Sequence, residues 1–333
     1  MIRVKELHSY ILFPLALFYW GIVYWRNLFY NFNFFISHKV NSQVISVGNI
    51  TLGGTGKTPA VIFLASLLTK VGKKVAILSR GYGRRTKGLL LVSRGDGLRC
   101  QWEDCGDEPY MISEKLPNLP IVVDENRYRG SLYLENNFDL DIIILDDGFQ
   151  HRSLHRDLDI VLIDGEDNLN DHKLLPYGIL REPWNNIKRA NIIMVTKKKP
   201  GPLLKRRIEE ISLPSIETRF SPVLRYSDKN TKVKNKYVYL VSGLGNPKFF
   251  KKTVEHMGFK ICGITEFKDH YNYKQDDILR LRTLAEESGA SSVLTTEKDW
   301  LKIKKLSPQV VFGIVDIKMK VMDEDLLLDL IDS

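Results

Sequence analysis

The chain has 333 residues, 44% hydrophobic and 27% charged, proportions that exclude a disordered, collagenous or coiled-coil protein and leave room for two domains. Its three cysteines, Cys100, Cys105 and Cys262, form no even set and no CxxC pair, which excludes a disulfide-stapled secreted scaffold and a zinc ribbon and suits a reducing compartment. The net charge of +9 fits an acidic partner: a nucleotide, a phosphorylated substrate, an anionic lipid or nucleic acid.

The first segment, residues 9–25, carries no charge and is flanked by Arg3, Lys5 and Arg26. Its length sits at the lower edge of the ~17 to 25 residues that cross a bilayer, so spanning and lying in the interface both remain open. Tyr10, Tyr19, Trp20, Tyr24 and Trp25 are amphipathic rings suited to headgroup depth, and Pro14 is poorly suited to a water-exposed helix. A membrane anchor is the expectation. No small-residue cleavage site follows, as a signal peptide requires, and a buried core helix would be shorter and less aromatic.

After Lys39 short β-branched runs alternate with helical stretches, the pattern of an α/β domain. Residues 44–47, 75–79, 121–123, 142–145 and 160–163 are predicted strands, and 59–70 a helix. Their near-continuous apolar character belongs to parallel strands covered on both faces. Between the first strand and helix stands Thr51-Leu52-Gly53-Gly54-Thr55-Gly56-Lys57-Thr58, which departs from GxxxxGK[ST] only at its first position. Glycines there let backbone amides approach phosphate oxygens, Lys57 reaches the β- and γ-phosphates, and Thr58 can hold Mg²⁺. The run 141–145 ends in Asp146 and Asp147, where the carboxyl ends of parallel strands line a ligand crevice. Asp146 is the better metal candidate, and Asp147 would face the reacting phosphate or a partner side chain. Thr196-Lys197-Lys198-Lys199 is only a faint guanine-reading element, since the required Asp is missing, so ATP is preferred over GTP.

The motifs Val47-Gly48-Asn49-Ile50-Thr51, Ser79-Arg80-Gly81-Tyr82-Gly83-Arg84, Gly106-Asp107-Glu108-Pro109, Asp146-Asp147-Gly148-Phe149-Gln150-His151, Leu180-Arg181-Glu182-Pro183, Asp269-His270-Tyr271 and Thr296-Glu297-Lys298-Asp299 occur in this order. Together they resemble the tetraacyldisaccharide 4′-kinase family, the lipid A 4′-kinases of Gram-negative bacteria. The resemblance implies a P-loop α/β domain and a second, smaller α/β domain behind an N-terminal membrane-associated helix. It implies transfer of the ATP γ-phosphate to the 4′-hydroxyl of an acylated glucosamine disaccharide 1-phosphate, forming lipid IVA at the cytoplasmic face of the inner membrane. It also implies that Asp107 and His270 form the catalytic base pair; on residues alone, Asp107 reads first as a helix N-cap. Glu182 is a candidate second metal or phosphate-loop contact and Arg181 a neutraliser of transferring charge, with a surface ion pair as the plain alternative. Asp147 and Lys57 complete the candidate catalytic set.

His151 and His155 stand four apart, but no third ligand accompanies them, so structural use or substrate contact is expected over zinc. Arg80, Arg84, Arg85 and Lys87 form a basic loop that could meet the sugar 1-phosphate or headgroups, or be simply solvated. The lysine runs match no nucleic-acid-binding pattern, so no nucleic-acid partner is expected. The expected boundaries are 1–38 for the anchor, 39–199 for the P-loop kinase domain, 200–236 for a polar connector, and 237–333 for the C-terminal α/β domain, in a monomer. In the last segment 237–242, 261–267 and 293–296 are predicted strands, with helices from Pro247 and over 275–287. Gly243 and Gly245 mark a tight turn, not a dinucleotide fingerprint. Because His270 and the phosphate loop lie in different halves, the halves must approach, by lid-like closure. The rival reading is a membrane-associated ATPase switch of the partition or division-site type, whose signature lysine position is occupied here by Leu52.

Overall fold

The computed structural model describes residues 4–228, 235–245, 247–306 and 310–332, with side chains from Leu12 onward. A long helix, α1 (Val4–Asn31), leads into β1 (Gln43–Asn49), α2 (Lys57–Lys70), β2 (Val75–Ser79) and β3 (Leu90–Arg94). Next come α3 (Trp102–Cys105), α4 (Asp107–Lys115), β4 (Pro120–Val123), α5 (Arg127–Asn137), β5 (Ile142–Asp146), β6 (Leu158–Asp164) and β7 (Ile192–Thr196). The largely apolar strands β1, β2, β4, β5, β6 and β7 pair in parallel in the order β7-β6-β1-β5-β2-β4, and β3 closes the edge antiparallel. Helices cover both sides, so neither face is given over to polar residues, and a buried acid such as Asp159 is paired, here with Arg156. Packing against α2 and α4 buries Ile45, Ile77 and Ile144, and the other face buries Val44, Leu78 and Ile143 against Leu134 of α5.

The second half holds β9 (Tyr237–Ser242), α7 (Pro247–His256), β10 (Lys260–Glu266), α8 (Gln275–Glu287), β11 (Ser292–Thr296), α9 (Glu297–Ile303), β12 (Phe312–Val321) and α10 (Glu324–Asp332). Its strands run parallel in the order β10-β9-β11-β12. The stretch expected to be a connector, 200–236, is instead structured where it is described. It carries α6 (Pro202–Glu209) and the 12-residue β8 (Ser215–Tyr226). β8 pairs in parallel with β7 over 215–217, then antiparallel with β12 over 218–226, joining both halves into one 12-stranded sheet. Its charges sit on alternate residues, so a two-residue burial pattern hides inside a polar composition. The C-terminal α10 returns to the first half, burying Leu327 and Ile331 in the core built on α2.

α1 contains Pro14, and among the described residues no helix is long and apolar enough to cross a membrane. It docks through Ala16, Val23 and Asn27, while Phe13, Leu17, Phe18, Ile22 and Trp25 are more than half exposed.

Candidate active site

The loop before α2 is built to receive an anion. Gly53 (φ 111°) and Gly56 (φ 89°) adopt left-handed backbone that side chains resist, which turns the chain into the helix N-terminus at Lys57. Asn49, fully buried at the end of β1, donates to the Thr51 carbonyl (2.8 Å) and Thr55 Oγ1 (2.9 Å). Thr196 Oγ1, at the end of β7, donates to the Thr55 carbonyl (2.8 Å), and Leu52 N–H donates to the Ile179 carbonyl (2.6 Å). The loop is therefore held from three sides without any ligand.

One strand away, β5 delivers the paired acids. Asp147 follows the strand in left-handed conformation (φ 51°), a strained geometry that turns its carboxylate toward Arg181 Nη1 (3.1 Å to each oxygen) and Lys57 Nζ (3.6 Å). Burial would raise its pKa, but Lys57 and Arg181 outweigh that and hold it below the usual carboxylate value. Asp146 is buried and accepts from Ser79 Oγ (2.8 Å). Burial first, then Glu108 and Asp147, pushes its pKa up to about 7. A buried acid crowded by two other carboxylates is a site whose charge a cation would stabilise, and with the Thr58 hydroxyl it forms a hard oxygen donor set of the type Mg²⁺ takes. Beneath them Arg127, 2% exposed, donates to the Asp124 (2.6 Å) and Asp146 (3.4 Å) carbonyls.

The third group spans the two halves. Asp107 is the first residue of α4; its cap position is Gly106 and its side chain caps nothing, so the N-cap reading does not describe it. Its buried Oδ2 faces His270 Nδ1 (2.8 Å), Lys302 Nζ (2.8 Å) and Lys298 Nζ (3.7 Å), all from the C-terminal half. Burial opposes ionisation, but these donors together hold Asp107 below its ordinary pKa. An ionised carboxylate can only accept, so Nδ1 carries a proton, and in the neutral ring Nε2 is then the acceptor. His270 also has left-handed backbone (φ 60°), and Tyr82 lies 5.7 Å from its ring. The halves expected to need closure already touch here.

Glu182 does not join this cluster. It is fully buried, and its oxygens accept from Arg26 (3.2 Å), Asn27 (2.9 Å), Asn186 (2.8 Å) and Arg189 (2.8 Å). With four donors already on its two oxygens, it anchors α1 and has no capacity left for a metal. Arg181, its neighbour, is tied to the same helix by Tyr19 Oη, which donates to the Arg181 carbonyl (2.7 Å). His151 bonds Ser153 (2.9 Å) and His155 lies 3.5 Å from Asp157, so the two share no site. In the basic loop Arg84 pairs with Glu125 and Arg85 with Asp104, whereas Arg80 and Lys87 are exposed.

Sequence reasoning met Ser79 and Lys298 only as members of ordered motifs and Thr196 only in a faint guanine-reading run, and it did not single out Lys302. The available signal for the lysines was their spacing: four apart on a short helix directly after a strand, they share one face.

Comparison with known proteins agrees over nearly the whole chain. The family model described as Tetraacyldisaccharide-1-P 4′-kinase matches residues 8–333. The tetraacyldisaccharide 4′-kinase of Aquifex aeolicus is 36% identical over 338 residues, covering 96% of this chain and 97% of that protein. That of Chlorobaculum tepidum is 37% identical over 302 residues, covering 88% and 86%. The crystal structure of the "apo" form of LpxK from Aquifex aeolicus in complex with ATP has a TM-score of 0.79 at 35% identity, covering 97% of this chain and 98% of that one. An α/β architecture shared at that identity, with a match running from residue 8 to residue 333, leaves one conclusion: this chain is a kinase and belongs to the tetraacyldisaccharide-1-P 4′-kinase family.

Proposed function

We propose that the chain transfers the γ-phosphate of ATP to the 4′-hydroxyl of a tetraacyl glucosamine disaccharide 1-phosphate, yielding lipid IVA. The observation that carries this reading is the Asp107–His270 contact (2.8 Å), a proton-accepting pair that joins the phosphate-loop half to the C-terminal half. Phosphoryl transfer to a sugar hydroxyl needs a place for the hydroxyl proton and positive charge around the moving phosphoryl group. His270 Nε2 takes the proton while Nδ1 keeps its bond to Asp107, and Lys302 and Lys298 keep Asp107 anionic. Lys57 and Arg181, both beside Asp147, supply the positive charge. Thr58 and Asp146 would hold Mg²⁺, which when bound neutralises β- and γ-phosphate charge.

The reading extends to location: α1 lies at the cytoplasmic face of the inner membrane with its exposed aromatic face in the lipid. Support comes from the rings along that face and from Phe32, Phe34 and Ile36 beyond it, all more than 60% exposed. The test uses detergent-solubilised protein, γ-labelled ATP, Mg²⁺ and the acylated disaccharide 1-phosphate. Label in the lipid with wild type and none with Lys57→Ala is the expected result; ATP hydrolysis without lipid labelling refutes the proposal in favour of an ATPase switch. Deleting residues 1–30 should move the protein from the membrane pellet to the supernatant.

A further inference from the structure

Helix α1 has two unlike faces. Ala16, Tyr19, Val23 and Asn27, spaced three and four apart, form one stripe that turns inward, and Ala16, Val23 and Asn27 are buried. From this side α1 reaches two consecutive residues of the loop between β6 and β7. Tyr19 Oη donates to the Arg181 carbonyl (2.7 Å), while Arg26 (3.2 Å) and Asn27 (2.9 Å) donate to the Glu182 carboxylate. The same loop is also sewn to the phosphate loop. Arg181 N–H donates to the Ile50 carbonyl (2.7 Å), Leu180 bridges Thr51 antiparallel, and Leu52 N–H donates to the Ile179 carbonyl (2.6 Å). Arg181 is thus clamped at both ends of its own backbone, at the amide by the residue that follows β1 and at the carbonyl by α1, while its guanidinium stands 3.1 Å from each Asp147 oxygen. Burial holds the Tyr19 pKa above its ordinary value, so the phenol keeps its proton and donates at neutral pH.

We propose that Tyr19 is a positioning residue for phosphoryl transfer: through the Arg181 carbonyl, the seated α1 holds the Arg181 guanidinium where charge develops on the moving phosphoryl group. The inference rests on the reading of Arg181 as the neutraliser of that charge, and it makes α1 part of the catalytic frame as well as a surface for lipid. Fixed charge lowers a barrier only when it is already in place, and misplacing such a group by about 1 Å costs about a hundredfold in rate. Loss of the Tyr19 hydrogen bond leaves the amide clamp of Arg181 intact, so a smaller loss, about tenfold, is expected.

The experiment is a double-mutant cycle in the full-length, detergent-solubilised kinase with ATP and the acylated disaccharide 1-phosphate: Tyr19→Phe, Arg181→Ala and the two combined. Tyr19→Phe keeps the ring and removes only the hydroxyl; it should lower kcat about tenfold and leave the KM for ATP and for the lipid unchanged. In the Arg181→Ala background the same change should lower kcat no further, because the charge it positions is gone. An unchanged kcat in Tyr19→Phe overturns the proposal, as does an equal loss in both backgrounds, which would mean a general loosening of α1. A loss confined to a raised KM for the lipid also overturns it, since Tyr19 would then serve lipid capture alone. If Arg181→Ala itself keeps the wild-type kcat, the reading of Arg181 falls and takes the proposal with it, a result read from that single variant and so separate from the others.

Discussion

Replacing Lys302 with Met removes one ammonium from the seam between the two halves and keeps most of the side-chain volume. Lys302 is 5% exposed; besides Asp107 (2.8 Å) it donates to the Tyr271 carbonyl (3.2 Å) and sits over the Trp102 ring (4.5 Å). At an effective dielectric near 20 a pair at this distance is worth about 6 kcal/mol before desolvation. Removing one partner of a buried pair costs about 3 to 5 kcal/mol, because the remaining charge is stranded. His270 and Lys298 still face Asp107, so the lower end, about 3 kcal/mol, is expected. The pH dependence has a defined sign. Asp107 is held below its ordinary pKa, so its stabilising contribution is present above the usual carboxylate range and lost as pH falls through its folded value. Without Lys302 that folded value climbs, and the acid limb of kcat/KM moves to higher pH. The checks are chemical denaturation at neutral pH and a pH–rate profile of both proteins. A variant with unchanged stability and an unchanged acid limb would refute the claim that Lys302 keeps Asp107 ionised.

Arg181→Ala should lower single-turnover phosphoryl transfer by about 10² to 10³ with little change in ATP affinity, since its charge matters most in the transition state. Glu182→Ala strands Arg26 and Arg189 and should cost about 3 to 5 kcal/mol, read as faster proteolysis between α1 and β1. Asp146, with its pKa pushed up to about 7, is protonated below that point, so apparent Mg²⁺ affinity should fall about tenfold per pH unit on the acid side. Asp146→Asn should flatten that dependence, measured by Mg²⁺ titration of nucleotide binding. In the metal-free protein the same raised pKa makes folding less favourable as pH rises from the usual carboxylate range toward about 7.

The parallel strands and the phosphate loop were legible because a strand buried on both faces is apolar along most of its length, and a loop that wraps phosphate has to be glycine-rich. β8 and β12 were not, because each carries charges on alternate positions and crosses from one environment to another along its length. Pro222 added a false breaker signal, although in β8 it faces Ile317 within an antiparallel ladder. In the candidate site, Asp107 and His270 stand 163 positions apart, and no local pattern links them; the ordered motifs did. Lys302 was invisible because a lysine on a charged helix reads as solvated, and only the tertiary contact with a buried acid explains its burial. Glu182 was misread because its partners Arg26 and Arg189 come from elements that meet only once α1 has docked.

β8 also imposes an order of events on the newborn chain. Its first residues complete the sheet of the N-terminal half, but Thr218 finds its partner only at Val321, about a hundred residues later. At roughly 5 to 20 residues per second, the outer length of this strand spends about 5 to 20 seconds of synthesis as an unpaired edge beside a finished core. An open edge of that length invites pairing with another nascent chain. The glutamate and arginines at positions 217, 219 and 225, on a strand with a proline at 222, are the substitutions that discourage it, so replacing them with apolar β-formers should convert soluble expression into aggregation before any loss of folded stability is seen.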